Sequence, residues 1–262
     1  MISICKYPRT QHIEGSGLQT GDEDLQKLSF RELAGRFLVV EEKLDGANCG
    51  ISFTPQGELL LQSRGHYLAG GGRERQFELF KAWAHRRAAD LWSLLGVRYL
   101  LYGEWLFAKH TVFYTDLPHY FFEFDVYDKQ DGKFLSTERR RQLLRNAPFI
   151  VSVPVLHTGP VKTMEELISF VSQSAYIRSG HGDLLRHLCA KDGLDACQVT
   201  AQTDPSGLME GLYVKWEEDD EVRGRFKYIR AGFLQTVIDS DSHWMDRPIV
   251  PNQLAAGTDL FA

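Results

Sequence analysis

The sequence predicts an α+β domain of mostly antiparallel sheets flanked by helices. Apolar and aromatic runs typical of strands recur along the chain and are bounded by turn residues. Segments with helical spacing lie between them, but they do not alternate with the strands as regularly as βαβ units do. The chain has 262 residues, of which 43% are hydrophobic and 25% are charged, so it can form a substantial core.

The strands and helices are predicted in a defined order. A strand over residues 37–40 and another over 49–53 are separated by an Asp-Gly turn. Residues 65–73 form a glycine-rich loop, and apolar residues three and four apart predict a helix over 77–95. The remaining strands are predicted at 58–63, 98–105, 119–127, 208–217 and 222–230. The remaining helices are predicted near 137–146, 163–173, 183–191 and 231–239.

Length, apolar segments and net charge predict the domain organisation and argue against membrane proteins and proteins that coat nucleic acid. We expect one main domain over residues 1–232, including an N-terminal arm, and a short extension over 233–262. The sequence has no signal-like apolar segment at its start and no run of about 18 apolar residues, which predicts a cytoplasmic protein without a membrane partner. The net charge of −5 argues against nonspecific coating of nucleic acid, although a local basic groove is compatible with it.

The cysteines and histidines do not predict a zinc site or a disulfide framework. The four cysteines include no C-x-x-C pair. His181, His187, Cys189 and Cys197 lie near one another in the sequence, but their spacing matches no standard zinc pattern. We expect ordinary helix and loop roles for them.

Lys43 lies at the end of the first predicted strand, within the motif K-x-D-G. A lysine in this place can face a cleft, and Asp45 is near enough to influence its charge. Taken alone, the tetrapeptide is better explained as a solvated lysine before a hairpin turn.

Five further motifs follow in a fixed order, and each has a chemical interpretation. An arginine that precedes a glycine loop can grip phosphate oxygens, and carboxylates at strand ends can hold a cation. Each motif is also compatible with a purely structural role, as a solvent-exposed strand end, a core aromatic residue or a solvent-exposed face of a sheet. The motifs are Ser63-Arg64-Gly65, Gly103-Glu104, Phe124-Asp125, Glu210-Gly211 with Lys215, and Arg225-Phe226-Lys227.

Together, the six motifs resemble the signature of the covalent nucleotidyltransferase superfamily. That superfamily comprises ATP-dependent DNA and RNA ligases and mRNA-capping guanylyltransferases. The resemblance covers residues 43–227 and implies a nucleotidyltransferase (ligase adenylylation) domain.

The resemblance also implies a role for each motif residue. Lys43 would attack the α-phosphate of ATP and form a lysyl-AMP intermediate. Because a free lysine has a pKa near 10.4, we expect cationic neighbours, a divalent metal or partial burial to lower it. Phe124 would stack on the purine, and Glu42 would accept a hydrogen bond from its exocyclic amine. Phosphate charge would be neutralised by Lys215, Arg225 and Lys227. A hydrated Mg²⁺, with Mn²⁺ as the alternative, would be held by Asp45, Glu104 and Glu210.

Two details favour the RNA ligase branch. Asn48 extends the motif to K-x-D-G-x-N, which resembles the RNA ligase pattern, whereas DNA ligases and capping enzymes usually have arginine there. About 35 residues follow Lys227, too few for the OB-fold domain that those enzymes usually carry. A DNA ligase, a GTP-dependent guanylyltransferase and a non-catalytic RNA-end-binding relative remain the alternatives.

An RNA ligase of this kind would move AMP from Lys43 to an RNA 5′-phosphate and then join that end to a 3′-hydroxyl. Asn48 and Arg64 would organise the RNA ends. The expected partners are RNA ends or a nicked RNA duplex, together with an end-processing RNA repair enzyme.

Other charged residues have weaker assignments. Arg225 stands where lysine is commoner, and a guanidinium changes the geometry of phosphate contact. Arg9 and His12 could reach the active-site phosphates or belong to a packed N-terminal arm. Two further arginine groups could supply a patch that binds the nucleic-acid backbone but are expected to be solvated helix faces. These are Arg73, Arg75, Arg86 and Arg87, and the run 139–141.

Overall fold

The chain is described by a computed structural model that covers residues 3–18, 27–240 and 247–262, without the side chain of Arg73. It confirms the predicted α+β class. Eleven strands of the described residues form two sheets, and seven α-helices lie around them. The described helices include none that is long and apolar enough to cross a membrane.

The first sheet contains five strands in the order β1-β11-β10-β2-β9. All neighbouring pairs are antiparallel except the β1–β11 pair. The strands are β1 (Gln11–His12), β2 (Phe37–Lys43), β9 (Val155–Pro160), β10 (Gly211–Glu218) and β11 (Glu221–Ile229).

The second sheet has the order β4-β3-β5-β6-β7, and β8 pairs in parallel with the beginning of β6. Its strands are β3 (Ala47–Phe53), β4 (Leu59–Ser63), β5 (Tyr99–Trp105), β6 (Phe121–Asp128), β7 (Lys133–Phe134) and β8 (Val151–Ser152). The strands predicted around the acidic turn near residue 219 pair with each other as β10 and β11. The strands predicted around the Asp-Gly turn are present as β2 and β3, but they lie in different sheets and do not form a hairpin.

The helices lie mainly in the connections between strands. They are α1 (Glu78–Arg86), α2 (Ala88–Leu95), α3 (Thr137–Leu144), α4 (Met164–Ser169), α5 (His181–Lys191), α6 (Ala196–Ala201) and α7 (Ala231–Asp239). Short 3-10 helices cover Phe30–Glu32 and Gly72–Phe77. The single helix predicted over 77–95 is wrong, because the backbone leaves helical geometry at Arg87 and divides it into α1 and α2.

Strand register places the motif cations of the first sheet on one face. Lys43 lies opposite Gly211, and Lys215 lies opposite both Val39 and Arg225. Residues directly opposite each other on neighbouring strands share a face, so the motif cations point to the same side of the sheet. The other face forms an apolar core that includes Leu38, Val40, Leu212, Val214 and Phe226.

Candidate active site

Lys43 ends β2 beside the first residues of β10. Its Nζ donates a hydrogen bond to Glu210 Oε2 at 2.7 Å, and its side chain is 23% exposed whereas that of Glu210 is 2% exposed. The glycines that follow Glu210 and Asp45 lie tightly against neighbouring backbone. A Cβ on Gly211 would meet the Tyr228 carbonyl oxygen at 1.9 Å, and one on Gly46 would meet the Trp105 carbonyl oxygen at 2.7 Å.

Asp45 and Glu104 complete the group that we call the Lys43 cluster, which consists of Lys43, Asp45, Glu104 and Glu210. Glu104 Oε1 accepts a hydrogen bond from the Gly46 amide at 3.2 Å. Asp45 Oδ2 accepts hydrogen bonds from the amides of Thr111 and Val112, both at 2.7 Å. The predicted nucleophile and the three predicted metal-site carboxylates thus lie together, although they come from distant parts of the chain.

Burial, together with repulsion between the carboxylates, shifts the pKa values of the Lys43 cluster. Burial, followed by the charges of Glu210 and Asp45, raises the pKa of Glu104 to about 8 against the effect of Lys43. Burial also raises the pKa of Glu210 to about 7, against the lowering effect of the Lys43 and Lys227 charges. Both carboxyl groups therefore lie in surroundings that disfavour their ionised forms.

The expectation of a lowered pKa for Lys43 is wrong for the protein without ligands. Burial acts to lower the pKa of Lys43, but the carboxylates around it, Glu210 first, outweigh burial and raise the pKa. A neighbouring cation would have to neutralise these carboxylates before the amine form became accessible.

The donor set of the Lys43 cluster suits a hydrated cation. Its three carboxylates supply oxygen ligands, which Mg²⁺ prefers while it keeps several waters. Among the described residues, no group of three His, Cys, Asp or Glu side chains stands in direct metal-ligand geometry. The arrangement fits a cation held through water better than a closed cage of protein ligands.

Asn48 and Arg64 lie on the second sheet near this cluster. Asn48 is opposite Glu104 in the β3–β5 pair, and its Oδ1 is buried without a hydrogen-bond partner in the described part of the chain. Arg64 is exposed directly after β4, whose last residue, Ser63, pairs with Cys49. Asn48 therefore lies within the site wall, whereas Arg64 lies on the exposed loop at its margin.

Lys227 and Arg225 are two residues apart on β11 but have different surroundings. Lys227 is buried, and its charge acts on Glu210. The Arg225 guanidinium instead lies over the Phe134 ring, 3.7 Å from its centroid, and 5.6 Å from that of Tyr7. Lys227 belongs beside the Lys43 cluster, whereas the structure places Arg225 in a cation–π contact away from it.

The structure does not bring Lys215 to Lys43. Lys215 lies four positions along β10 from Gly211, a distance of roughly 13 Å. Its Nζ contacts Glu41 Oε2 at 2.9 Å and Asp125 Oδ1 at 3.1 Å, and its side chain has no exposed surface. We call this group, with Arg140 and Glu123, the Lys215 network.

Arg140 completes the Lys215 network, so the interpretation of the run 139–141 as a solvated face is wrong for this residue. Its guanidinium donates to Glu41 Oε1 at 2.7 Å and to Glu123 Oε1 at 2.8 Å. Thr137, Arg140 and Leu144 form the buried stripe of α3 at helical spacing. The helical spacing of these three residues could have predicted that Arg140 is buried. The acids of β2 and β6 that it contacts are buried and need a cationic partner.

Phe124 and Glu42, the predicted base-binding residues, lie on different sheets. Phe124 is on β6 and Glu42 is on β2. Phe124 is half-buried against Tyr7, with ring centroids 5.2 Å apart, and its carbonyl accepts hydrogen bonds from Arg140 and Lys215. Because neighbouring strand residues alternate, Glu42 points away from the face that carries Lys43. Burial raises the pKa of Glu42 to about 7, and its Oε1 has no hydrogen-bond partner among the described residues.

The N-terminal arm forms part of the wall of the site. The Tyr7 hydroxyl hydrogen-bonds to Asp125 and Tyr213, and Tyr7 is buried. His12 pairs with Lys227 across β1 and β11 and is also buried, whereas Arg9 is exposed. The sequence left open whether Arg9 and His12 reach the phosphates or belong to a packed arm; His12 is packed, with Nδ1 2.8 Å from Ser16 Oγ. No sequence pattern predicted a role for Tyr7.

Comparisons with known proteins agree with this fold. The model of the family described as RNA ligase matches residues 36–229. A variant of the Naegleria gruberi RNA ligase, solved with ATP and Mn, has a TM-score of 0.53 and 17% identity over 80% of this chain and 54% of that chain. Another variant of that ligase, solved with AMP and Mn, has a TM-score of 0.56 and 16% identity over 90% of this chain and 59% of that chain.

An archaeal ATP-dependent RNA ligase has a TM-score of 0.53 and 20% identity over 88% of this chain and 49% of that chain. The chain thus spans about half to three fifths of the length of these solved structures. A comparison with curated proteins finds no match. Because the family model covers most of the chain, including every predicted motif from Lys43 to Lys227, the chain belongs to the RNA ligase family.

Proposed function

We propose that the chain is an ATP-dependent RNA ligase that joins a 3′-hydroxyl to a 5′-phosphate through AMP bound to Lys43. The observation that supports this most is the Lys43 cluster, in which a partly exposed lysine lies among three buried or nearly buried carboxylates. A lysine with a purely structural role would have its side chain fully enclosed among paired groups, as Lys215 does.

In the first step, Lys43 Nζ attacks the α-phosphorus of ATP. A bond between nitrogen and phosphorus forms, the bond between the α-phosphorus and its bridging oxygen breaks, and pyrophosphate leaves. The ammonium must first lose a proton, which its carboxylate neighbours oppose by raising the pKa of Lys43. Lys227, buried beside Glu210, would stabilise the phosphate charge that develops.

Asp45, Glu104 and Glu210 would hold a hydrated Mg²⁺ or Mn²⁺. When bound, the cation offsets the carboxylate charge and favours the amine form of Lys43. Asp45 has one oxygen committed to two backbone amides, which orients the carboxylate towards the cluster. Asn48 Oδ1 supplies a further buried oxygen next to Glu104.

Phe124 is the proposed adenine-stacking residue, whereas the predicted contact of Glu42 with the same base conflicts with its side chain pointing away from the face that carries Lys43. The half-buried Phe124 ring offers a face for stacking, which is worth about 1–3 kcal/mol per base. We assign Lys215 to the support of Phe124, since it donates to the Phe124 carbonyl.

AMP then passes from Lys43 to an RNA 5′-phosphate, and a 3′-hydroxyl displaces it to form the phosphodiester. Asn48 and the exposed Arg64 are the candidates for organising the RNA ends. RNA ends or a nicked RNA duplex are the proposed substrates, and an end-processing repair enzyme in the cytoplasm is the proposed partner.

The test is to incubate the protein with Mg²⁺ and α-labelled ATP or GTP and to measure the label retained after denaturation. We expect label from ATP on wild-type protein and on a Lys191→Ala control, which alters an exposed lysine of α5. No label is expected on Lys43→Ala. Label on Lys43→Ala would contradict the mechanism, and label from GTP alone would indicate a guanylyltransferase.

The adenylylated protein is then offered nicked RNA, nicked DNA and single strands. We expect sealing of RNA. Sealing of DNA alone would indicate a DNA ligase, and an adduct-free protein that binds RNA ends would indicate a non-catalytic relative.

A further inference from the structure

Residues 247–262, which we call the clamp segment, lie beyond the residues matched by the family model and pack against the loop over residues 106–117. That loop holds Asp45. We propose that Asn252 is a positioning residue that fixes this loop and thereby sets the direction of the Asp45 carboxylate. The inference rests on the proposed function, in which Asp45 helps to hold the cation.

The loop makes three hydrogen bonds with Asp45, and His110 Nδ1 also lies 3.9 Å from Asp45 Oδ1. The amides of Thr111 and Val112 donate to Asp45 Oδ2, both at 2.7 Å, and the Asp45 amide donates to the Tyr114 hydroxyl at 2.9 Å. A carboxylate held by two amides takes its orientation from them. A shift of the loop would therefore turn Asp45 relative to the rest of the Lys43 cluster.

The Asn252 side chain connects Leu106, at the start of this loop, with Tyr114, near its end. It has no exposed surface, its Oδ1 accepts from the Tyr114 amide at 2.9 Å, and its Nδ2 donates to the Leu106 carbonyl at 2.8 Å. Its backbone amide donates to the Phe107 carbonyl at 2.8 Å, and its carbonyl accepts from the Tyr120 hydroxyl at 2.8 Å. A buried asparagine with its amide group bonded on both sides is costly to replace.

Neighbouring residues of the clamp segment extend this contact in both directions. The Lys109 amide donates to the Val250 carbonyl at 2.8 Å, and the Gln253 amide donates to the Tyr114 carbonyl at 2.9 Å. Most of the loop is buried but belongs to no sheet, so its backbone groups need such partners. The clamp segment supplies these hydrogen-bond partners, which a neighbouring strand would supply in a sheet.

The test compares three variants of this region. Asn252→Ala removes the bonds to both loop ends, and Tyr120→Phe removes one bond to Asn252 with little change of shape. Gln253→Ala is the matched control, because the side-chain amide of Gln253 donates to the carbonyl of Pro251 within the clamp segment itself. Two quantities are measured: hydrogen exchange at the amides of Thr111 and Val112, and the Mn²⁺ concentration that gives half-maximal adduct formation.

Asn252→Ala should speed exchange at both amides and raise the required Mn²⁺ concentration by about 10- to 100-fold, as for other residues that orient metal ligands. The ATP concentration for half-maximal reaction should stay within about twofold of wild type. Tyr120→Phe should shift both quantities in the same direction by less, and Gln253→Ala should shift neither.

A folded Asn252→Ala protein with wild-type exchange and wild-type Mn²⁺ dependence would overturn the proposal. If Asn252→Ala fails to fold, Tyr120→Phe decides in the same way. If the wild-type protein forms no adduct, the proposed function fails, and amide exchange alone decides whether Asn252 positions the loop.

Discussion

Lys43 and Lys215 both belong to predicted motifs and point to the same face of one sheet, yet their surroundings differ. The Lys215 network sets two cations against three acids, with Arg225 close by, and Lys215 has no exposed surface. In the Lys43 cluster, Lys43 lies among three acids with the buried Lys227 acting on Glu210, and Lys43 is 23% exposed. Side-chain exposure therefore separates the structural lysine from the candidate nucleophile.

The comparison predicts unequal losses of stability when the charge of each lysine is removed. Lys215→Met should lower the free energy of unfolding by about 3–5 kcal/mol, because Glu41 and Asp125 would remain buried without a cation. Lys43→Met should cost about 1 kcal/mol or less, because Glu104 and Glu210, whose pKa values are about 8 and 7, can take up protons instead. Urea unfolding of both variants at pH 7 measures the difference, and equal losses would break the comparison.

Arg140 tests whether geometry as well as charge matters in the Lys215 network. Arg140→Lys keeps the charge but loses the fork that reaches both Glu41 and Glu123, and it should cost about 2 kcal/mol. Arg141→Lys is the matched control on the exposed side of α3 and should change stability by less than about 0.5 kcal/mol. The same unfolding measurement applies, and a neutral Arg140→Lys would mean that a point charge suffices.

The Lys43 cluster should respond to removal of one carboxylate by a change in the pKa of Lys43. Glu210→Gln removes the largest raising influence on that pKa, so the pKa should fall by about one unit or more. The rate at which an amine-selective reagent modifies Lys43 at pH 8, followed by peptide mass spectrometry, reports this without any dependence on catalysis. Glu218→Gln, at an exposed acid of the same strand, should leave the rate unchanged. A slower reaction in Glu210→Gln would contradict the electrostatic account.

A further expected effect is on the pH dependence of stability in the absence of divalent metal. Glu104 and Glu210 have pKa values of about 8 and 7, above their ordinary value of 4.5, so the folded state holds protons that the unfolded chain has released. The stability they contribute is complete below pH 4.5 and is lost as pH rises through 7 and 8.

The melting temperature of the wild type should therefore fall more between pH 6 and pH 8.5 than that of a Glu104→Gln, Glu210→Gln double variant. Comparing the two proteins cancels the contributions of Glu42 and Lys109, whose pKa values are also about 7. Parallel pH profiles would show that the two carboxyl groups do not titrate as described.

The sequence predicted features whose evidence is local. The antiparallel strands follow from apolar runs bounded by turn residues. The joint roles of the residues in the Lys43 cluster were implied by the resemblance to the nucleotidyltransferase signature, and no local pattern alone predicted them. The positions of Lys215 and Arg140 were missed, because the acids that pair with them come from β2 and β6. Strand alternation alone could have shown that Glu42 points away from Lys43. The contact of Asn252 with residues 106–117 joins segments far apart in the chain, and no local pattern marks it.

The position of AMP on the protein tests the distinction between the two lysines most directly. The protein is incubated with ATP and Mg²⁺ and then digested, and the modified peptide is identified by mass spectrometry. We predict AMP on Lys43 and none on Lys215 or Lys227. AMP on another lysine, or no adduct on folded protein with Mg²⁺ present, would contradict the assignment of Lys43 as the nucleophile.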